Sequence, residues 1–174
     1  PGAIDNATGV AALLATAELL AEYDGPYRVE LIPMNGEDYY ANSGEHLFVE
    51  AYRDRWEELL GAVNMDAIGA RGASTAASMY AVSERGAELI GRVVRRHDTV
   101  SLGEEWWESD HSIVAAQGRP TVALTSTSFR ELSATVTHTE QDTLELVDPA
   151  LVADAAEFVA DLVRSLPAVG GSGA

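Results

Sequence analysis

The side chains able to do chemistry gather in a few short stretches, and the most telling is Asn35-Gly36-Glu37-Asp38-Tyr39-Tyr40. Two adjacent carboxylates follow directly on the apolar run Val29 to Met34, which predicts a strand buried largely on both faces, as inside an α/β protein. Pro33 suggests that ladder pairing lapses near its end, and Gly36 then breaks it. In such sheets ligands sit outside the carboxyl ends of the strands, so Glu37 and Asp38 fall where chemistry is usually placed. A helix start is the competing explanation, because carboxylates favour the positive amino end of a helix. Asp66 lies in Ala62-Val63-Asn64-Met65-Asp66-Ala67-Ile68-Gly69, a short strand interrupted by an acid. An ionised carboxylate in that setting must be paired or bound to a cation, which makes Asp66 a ligand candidate.

Glu104 to His111 reads Glu-Glu-Trp-Trp-Glu-Ser-Asp-His. Ser109 or Asp110 can serve as the N-cap of a short helix that follows, which also suffices to explain a polar His111. Two neighbouring Trp cannot both face the core easily, so Trp106 or Trp107 is a candidate for shaping a substrate pocket, with core packing the commoner fate. Val136-Thr137-His138-Thr139 and Gln141-Asp142-Thr143 close the set. His97, after Arg95 and Arg96, suits the carboxyl end of a helix and carries little functional weight.

The elements that must position these groups alternate along the chain. Val10, Leu13, Leu14, Ala17, Leu20 and Ala21 recur at helical spacing, with Thr8 or Asn6 as cap and Asp24-Gly25-Pro26 as stop, which puts Asp5 at the amino end of a helix. A second helix carries Leu47, Phe48, Ala51, Tyr52, Trp56 and Leu59 on one stripe. Strands are expected over 76–82 and 120–124, with helices over 87–94 and 113–117. A long last helix opens at Asp148-Pro149 and presents Leu151, Ala155, Phe158, Val159 and Leu162. The count is five strands and five helices in one layered α/β domain spanning residues 1–167. Residues 168–174, with Gly170-Gly171-Ser172-Gly173-Ala174, have the composition of a flexible tail.

With 174 residues and 47% apolar content, the chain can bury a real core as one domain. No Cys is present, so any metal must be held by His, Asp and Glu. All 11 basic residues are Arg, against 28 acids, and the net charge of -17 repels nucleic acid and anionic membranes. No apolar stretch is long enough to span a bilayer. Pro1-Gly2-Ala3 reads as a tight loop four residues before a candidate ligand, and a preceding segment is expected.

Gly2-Ala3-Ile4-Asp5-Asn6-Ala7-Thr8-Gly9-Val10, Asn35-Gly36-Glu37-Asp38, Asn64-Met65-Asp66-Ala67-Ile68-Gly69, Ser109-Asp110-His111, and His138-Thr139 with Asp142-Thr143 occur in that order. The ordered set resembles the zinc aminopeptidase family of co-catalytic dizinc exopeptidases that includes secreted bacterial leucyl aminopeptidases, with glutamate carboxypeptidases and glutaminyl cyclases as relatives. The resemblance runs from Gly2 to about Leu166. It implies a three-layer αβα sandwich with a mixed, mostly parallel central sheet, truncated at the amino terminus. It also implies that Asp5 bridges two zinc ions, Glu37 is the general base, Asp38 and His138 complete one zinc, and Asp66 binds the other. Such a pair of ions activates one water for attack on a peptide carbonyl, and the substrate would be a peptide or amino-acid derivative. Asp110, His111, Trp106, Trp107, Thr137 and Asp142 would lie behind the ligands or line the pocket.

The chain departs from the family pattern in three places. The family's first histidine, in a His-any-Asp motif upstream of the bridging Asp, has no counterpart, which leaves one zinc as the expectation for this chain against two for the full pattern. Asp38 stands where members often have Glu, and Thr137 where several relatives have an aromatic residue. The expected activity is therefore that of a zinc exopeptidase, most simply an aminopeptidase, weak or inactive in this form. A single-zinc glutaminyl cyclase-like enzyme and a noncatalytic binding domain of the same fold remain open beside it. The missing strands imply self-association or pairing with an amino-terminal segment, and the family implies a secreted or periplasmic location.

Overall fold

The computed structural model of the chain describes residues 1–38 and 42–167. Tyr39 and Tyr40 of the acidic stretch, and the expected tail 168–174, lie outside the described residues. Four strands form one sheet in the order β1-β4-β2-β3, with β1 over Ala62–Met65, β2 over Thr75–Tyr80, β3 over Val100–Leu102 and β4 over Thr121–Ser126. β1 pairs with β4 and β2 with β3 in parallel, whereas β2 and β4 are antiparallel, so the sheet is mixed and mostly parallel.

The period of two along each strand sorts side chains into two faces. On one face Met65, Ala77, Val122 and Leu124 pack against α1 (Thr8–Leu19), α3 (Glu84–Val94) and α6 (Pro149–Ser165). On the other, Tyr80 and Ala123 meet Trp106, Ala115 of α4 (His111–Ala116) and Phe129 of α5 (Phe129–Thr135). Phe48 and Tyr52 of α2 (Ser43–Tyr52) add to that side against Val114. Helices thus cover both faces of the sheet in three layers. Their starts follow local rules: Ser83 Oγ accepts from the Gly86 amide at 3.2 Å, and Asp148 accepts from Ala150 at 3.1 Å with Pro149 in the first turn.

Three expectations are corrected. Val29 to Met34 is not a buried strand: it is extended, has no ladder partner among the described residues, and leaves Leu31 and Ile32 exposed. A strand needs a neighbour for its backbone groups, and β1 stands across a groove of about 1040 Å³ that both segments line. The segment is tied down instead by side chains, with Tyr52 Oη donating to Glu30 and Tyr27 Oη to the Pro167 carbonyl.

The buried face of α1 is also different from the expected stripe. Thr8, Gly9, Ala12, Thr16 and Leu20 are inward, while Leu14 is 64% exposed. α1 packs on α6, where Ala155 and Ala156 are fully buried, and a close helix pair selects small residues. Thr16 is admitted because its hydroxyl donates to the Ala12 carbonyl at 2.8 Å. Finally, the second helix stops at Tyr52, with a separate turn over Trp56–Glu58, and with α5 and β3, where no element was expected, the described residues hold six α-helices and four strands against the expected five of each.

Candidate metal centre

Asp5 is placed by its backbone. Ala3–Ala7 is a tight turn in which Asp5 and Asn6 leave helical dihedral angles before α1 begins. The buried Asp142 carboxylate receives the Ile4 amide at 2.6 Å and the Asp5 amide at 3.1 Å. Asn6 acts on the other side: its Nδ2 donates to the Met65 carbonyl at 2.9 Å and its Oδ1 accepts from Gly9 at 3.0 Å. A Cβ on Gly9 would lie 2.3 Å from the Met65 oxygen, so only glycine lets α1 approach the end of β1 this closely. Asn6, not Thr8, therefore does the capping, and Thr8 donates to the Ile4 carbonyl instead.

His138 follows α5, in a loop pinned further along by Arg71, which donates to the carbonyls of Glu145 at 3.1 Å and Val147 at 2.7 Å. Its Nε2 stands 3.0 Å from Asp5 Oδ2 and 2.8 Å from Asp38 Oδ1, and the three ligand atoms all lie within 4.8 Å of one another. One imidazole N–H cannot serve two carboxylates fully, whereas one cation can. Ligands at about 2.0–2.1 Å around a tetrahedral zinc are roughly 3.4 Å apart, so these contacts need open by only a few tenths of an ångström. The oxygen and nitrogen donor set is one zinc accepts, and the residues fit the ion.

The neighbouring acids show how strongly negative the place is. Glu37 is half-buried and hydrogen-bonds to Asp38; burial first, then Asp38, Asp66 and Asp110, push it up to about 8. Burial raises Asp66 to about 6, and its Oδ2 accepts the Ser109 hydroxyl at 2.7 Å. Asp66 stands outside the group of three. Asp5 is raised too, by burial and then by Asp38.

Asp110 holds the N-cap position of α4 without a side-chain capping bond. It is pushed up to about 7 by burial and by Glu45, with which it shares a hydrogen bond. Glu45, in the first turn of α2, was not legible as a site residue, since its position alone reads as a favourable helix start.

Of the remaining candidates, Trp106 is buried and Trp107 half exposed, edge-on to Tyr80 with ring centroids 4.9 Å apart. Thr137 is buried, with its amide on the Leu132 carbonyl at 3.0 Å. His111 is buried and held neutral by desolvation. His97 lies away from the cluster at the end of α3, 3.2 Å from Asp161, as its basic neighbourhood implied.

Comparison with known proteins bears on this geometry. The family model described as peptidase family M28 matches residues 1–163. The fold is similar to that of an aminopeptidase from Aneurinibacillus sp. strain AM-1, with a TM-score of 0.76 and 23% identity over 94% of this chain and 39% of that one. A zinc aminopeptidase from Bacillus subtilis follows at 0.69 and 19%, over 94% of this chain and 42% of the other. Tannerella forsythia glutaminyl cyclase gives 0.68 and 18%, over 95% and 64%. The chain thus spans less than two thirds of the length of each. No curated protein matches it.

Two outcomes follow from the anchoring and the charge. Asp142→Ala orphans two amides, one buried and one part-buried, and should lower stability by about 1–3 kcal/mol for each one left unsatisfied; chemical denaturation reads it, and a change under about 0.5 kcal/mol would contradict the anchoring role. In chelator-treated protein, Glu37 and Asp110 keep protons to about pH 8 and 7, against ordinary values of 4.5 and 3.8. Folding therefore takes up protons, and stability should fall as pH rises from about 6.5 to 8. Below about 6.5 the neutral His111 works in the opposite sense. A urea midpoint that climbs between pH 6.5 and 8 would refute this electrostatic picture.

Proposed function

The chain belongs to peptidase family M28, and from that premise we propose that it carries the catalytic machinery of a zinc exopeptidase, an aminopeptidase acting on amino-terminal peptide bonds. The observation that carries this reading is the convergence of Asp5, Asp38 and His138 on one point beside Glu37. Those three residues would hold one zinc, and Asp66 with Asp5 would serve a second in the full family pattern. When bound, zinc polarises a carbonyl oxygen and lowers the pKa of a water it holds.

Glu37 does the proton work. It takes a proton from the attacking water on a carboxylate oxygen and returns it to the leaving amine. Its value of about 8 without an ion falls as cation charge arrives, which brings it toward the range of an effective base at neutral pH. The surrounding acids also select the end of the substrate. Asp110 and Glu45, which share a hydrogen bond, leave negative charge there that attracts a protonated amino terminus and repels a terminal carboxylate. Trp107, half exposed, offers an aromatic face to a substrate side chain.

A second reading rests on a specific feature. Among the described residues three form the ligand group, and Asp66 is engaged by Ser109, which is the donor count of a one-metal glutaminyl cyclase-like enzyme. The outer edge of β1, which has no ladder partner among the described residues, together with the exposed Leu31 and Ile32, further supports association with a second copy or with another strand-forming segment.

Titration calorimetry with zinc and a leucine-anilide assay test the main reading. Glu37→Gln should keep its zinc and lose about 10²–10⁴-fold in turnover. Undiminished turnover removes Glu37 as base, absence of zinc binding removes the whole reading, and cyclisation of a glutaminyl peptide without anilide cleavage favours the second. Light scattering addresses association: a monodisperse monomer with no bound segment would count against it.

A further inference from the structure

His111 opens α4 and is the least exposed histidine of the chain, at 2%. Its ring sits between Trp106 and Tyr80, with centroids 4.5 Å and 4.8 Å away. Its Nε2 lies 2.6 Å from the Trp106 carbonyl oxygen. A carbonyl can only accept, so Nε2 carries the hydrogen, and Nδ1 of the neutral ring is left as an acceptor. The atom facing Nδ1 is Asn64 Nδ2 at 3.4 Å, which can only donate.

The sense of every following bond is then fixed. The amide nitrogen of Asn64 has a second hydrogen, and Ser109 Oγ accepts it at 3.0 Å. With that acceptance made, the Ser109 hydroxyl directs its own hydrogen to Asp66 Oδ2 at 2.7 Å. Reversing any link would set two donors or two acceptors face to face. The far end is anchored as well: the Trp106 carbonyl also receives the Tyr80 hydroxyl, and the Trp106 amide donates to Tyr80 Oη at 2.6 Å. Backbone geometry explains why the parts meet. Asn64 lies in β1 and Asp66 one residue past its end, where its amide continues the ladder onto the Leu124 carbonyl, so the two share one face, and Ser109 and His111 are two apart where the chain turns into α4.

We propose that His111, fixed as its Nε2–H tautomer, is a positioning residue that acts through Asn64 and Ser109 to hold the Asp66 carboxylate in one orientation for a divalent cation. The proposal rests on the metallopeptidase reading above. The relay is built from neutral groups, so it orients Asp66 without supplying a charge that would compete with the cation. Groups behind a metal ligand that fix its orientation typically contribute roughly ten- to a hundredfold in metal affinity.

The probe is zinc alone, read by competition with a chromophoric chelator. His111→Phe keeps an aromatic ring in the Trp106–Tyr80 sandwich but can neither donate nor accept, whereas His111→Gln can do both. The Asp5, Asp38 and His138 group would take the first equivalent of zinc and Asp66 with Asp5 the second, so His111→Phe should leave the first in place and weaken the second roughly ten- to a hundredfold, His111→Gln should recover most of that, and Ser109→Ala, a smaller change in packing, should repeat the loss. In an Asp66→Asn background His111→Phe should add no further loss, because it acts only through Asp66. A long-range ¹H–¹⁵N correlation on the zinc-free chain should show His111 with its hydrogen on Nε2.

The opposite tautomer overturns the proposal. So do folded His111→Phe and Ser109→Ala chains that bind zinc as the parent does, or losses that multiply in the Asp66→Asn background. A parent chain that binds no zinc removes the metallopeptidase reading and the proposal with it; a parent that binds a single equivalent, or variants that bind the second equivalent as the parent does, remove the proposal alone.

Discussion

Asp5, Glu37, Asp38, Asp66 and Asp110 repel one another across a partly buried space, and that mutual repulsion is the constraint to which the rest of the molecule answers. Left to itself such a group would spread apart or take up protons. It cannot spread apart, because each acid is held by a different part of the fold, and it takes up protons instead. Asp5 hangs from Asp142 and from the close approach permitted by Gly9; Asp66 extends the β1 ladder through its amide on Leu124 at 3.0 Å; Asp110 leads α4. Among the described residues the base reaching into the set is His138, more than half exposed, with two carboxylates on one nitrogen.

Stability sufficient to hold such a set must come from elsewhere, and the packing shows where. The face of the sheet carrying Met65, Ala77, Val122 and Leu124 is buried under three helices, with Phe158 and Ala155 fully enclosed. The close α1–α6 pair fixes the helix whose amino end carries Asp5, so apolar burial on one face supports the charged arrangement at the end of β1. Without an ion, the acids retain protons, which is a less demanding state than full ionisation at the same spacing.

Much of this was readable from the sequence, and what was not has identifiable causes. Glu37, Asp38 and Asp66 were singled out because carboxylates at the ends of apolar segments have few structural uses, Asp5 and His138 through the ordered motifs and the family they resemble, and three of those five converge on one point. The layered α/β architecture was equally legible in the alternation of elements. Val29 to Met34 misled, because an apolar β-branched run specifies a preference for pairing but not the presence of a partner. The α1 stripe misled because spacing cannot say whether the facing helix comes close enough to select Ala12 and Thr16 over Leu14. Asn64 and Glu45 escaped notice since each has an ordinary explanation locally; their significance lies in contacts to Ser109 and Asp110, 45 or more residues away.

The two amides held by Asp142 join residues 138 and 137 positions apart. A chain made from its amino end exposes Asp5 early and the carboxylate that fixes it late, after the whole sheet has been synthesised. Until then the ligand set has no fixed geometry, however well α1 or β1 has formed. Closing so long a loop is slow compared with forming local helices. Assembly of the site is in this sense a late-acquired property: the growing polypeptide is spared the crowded acids at their final spacing until its last anchors have arrived.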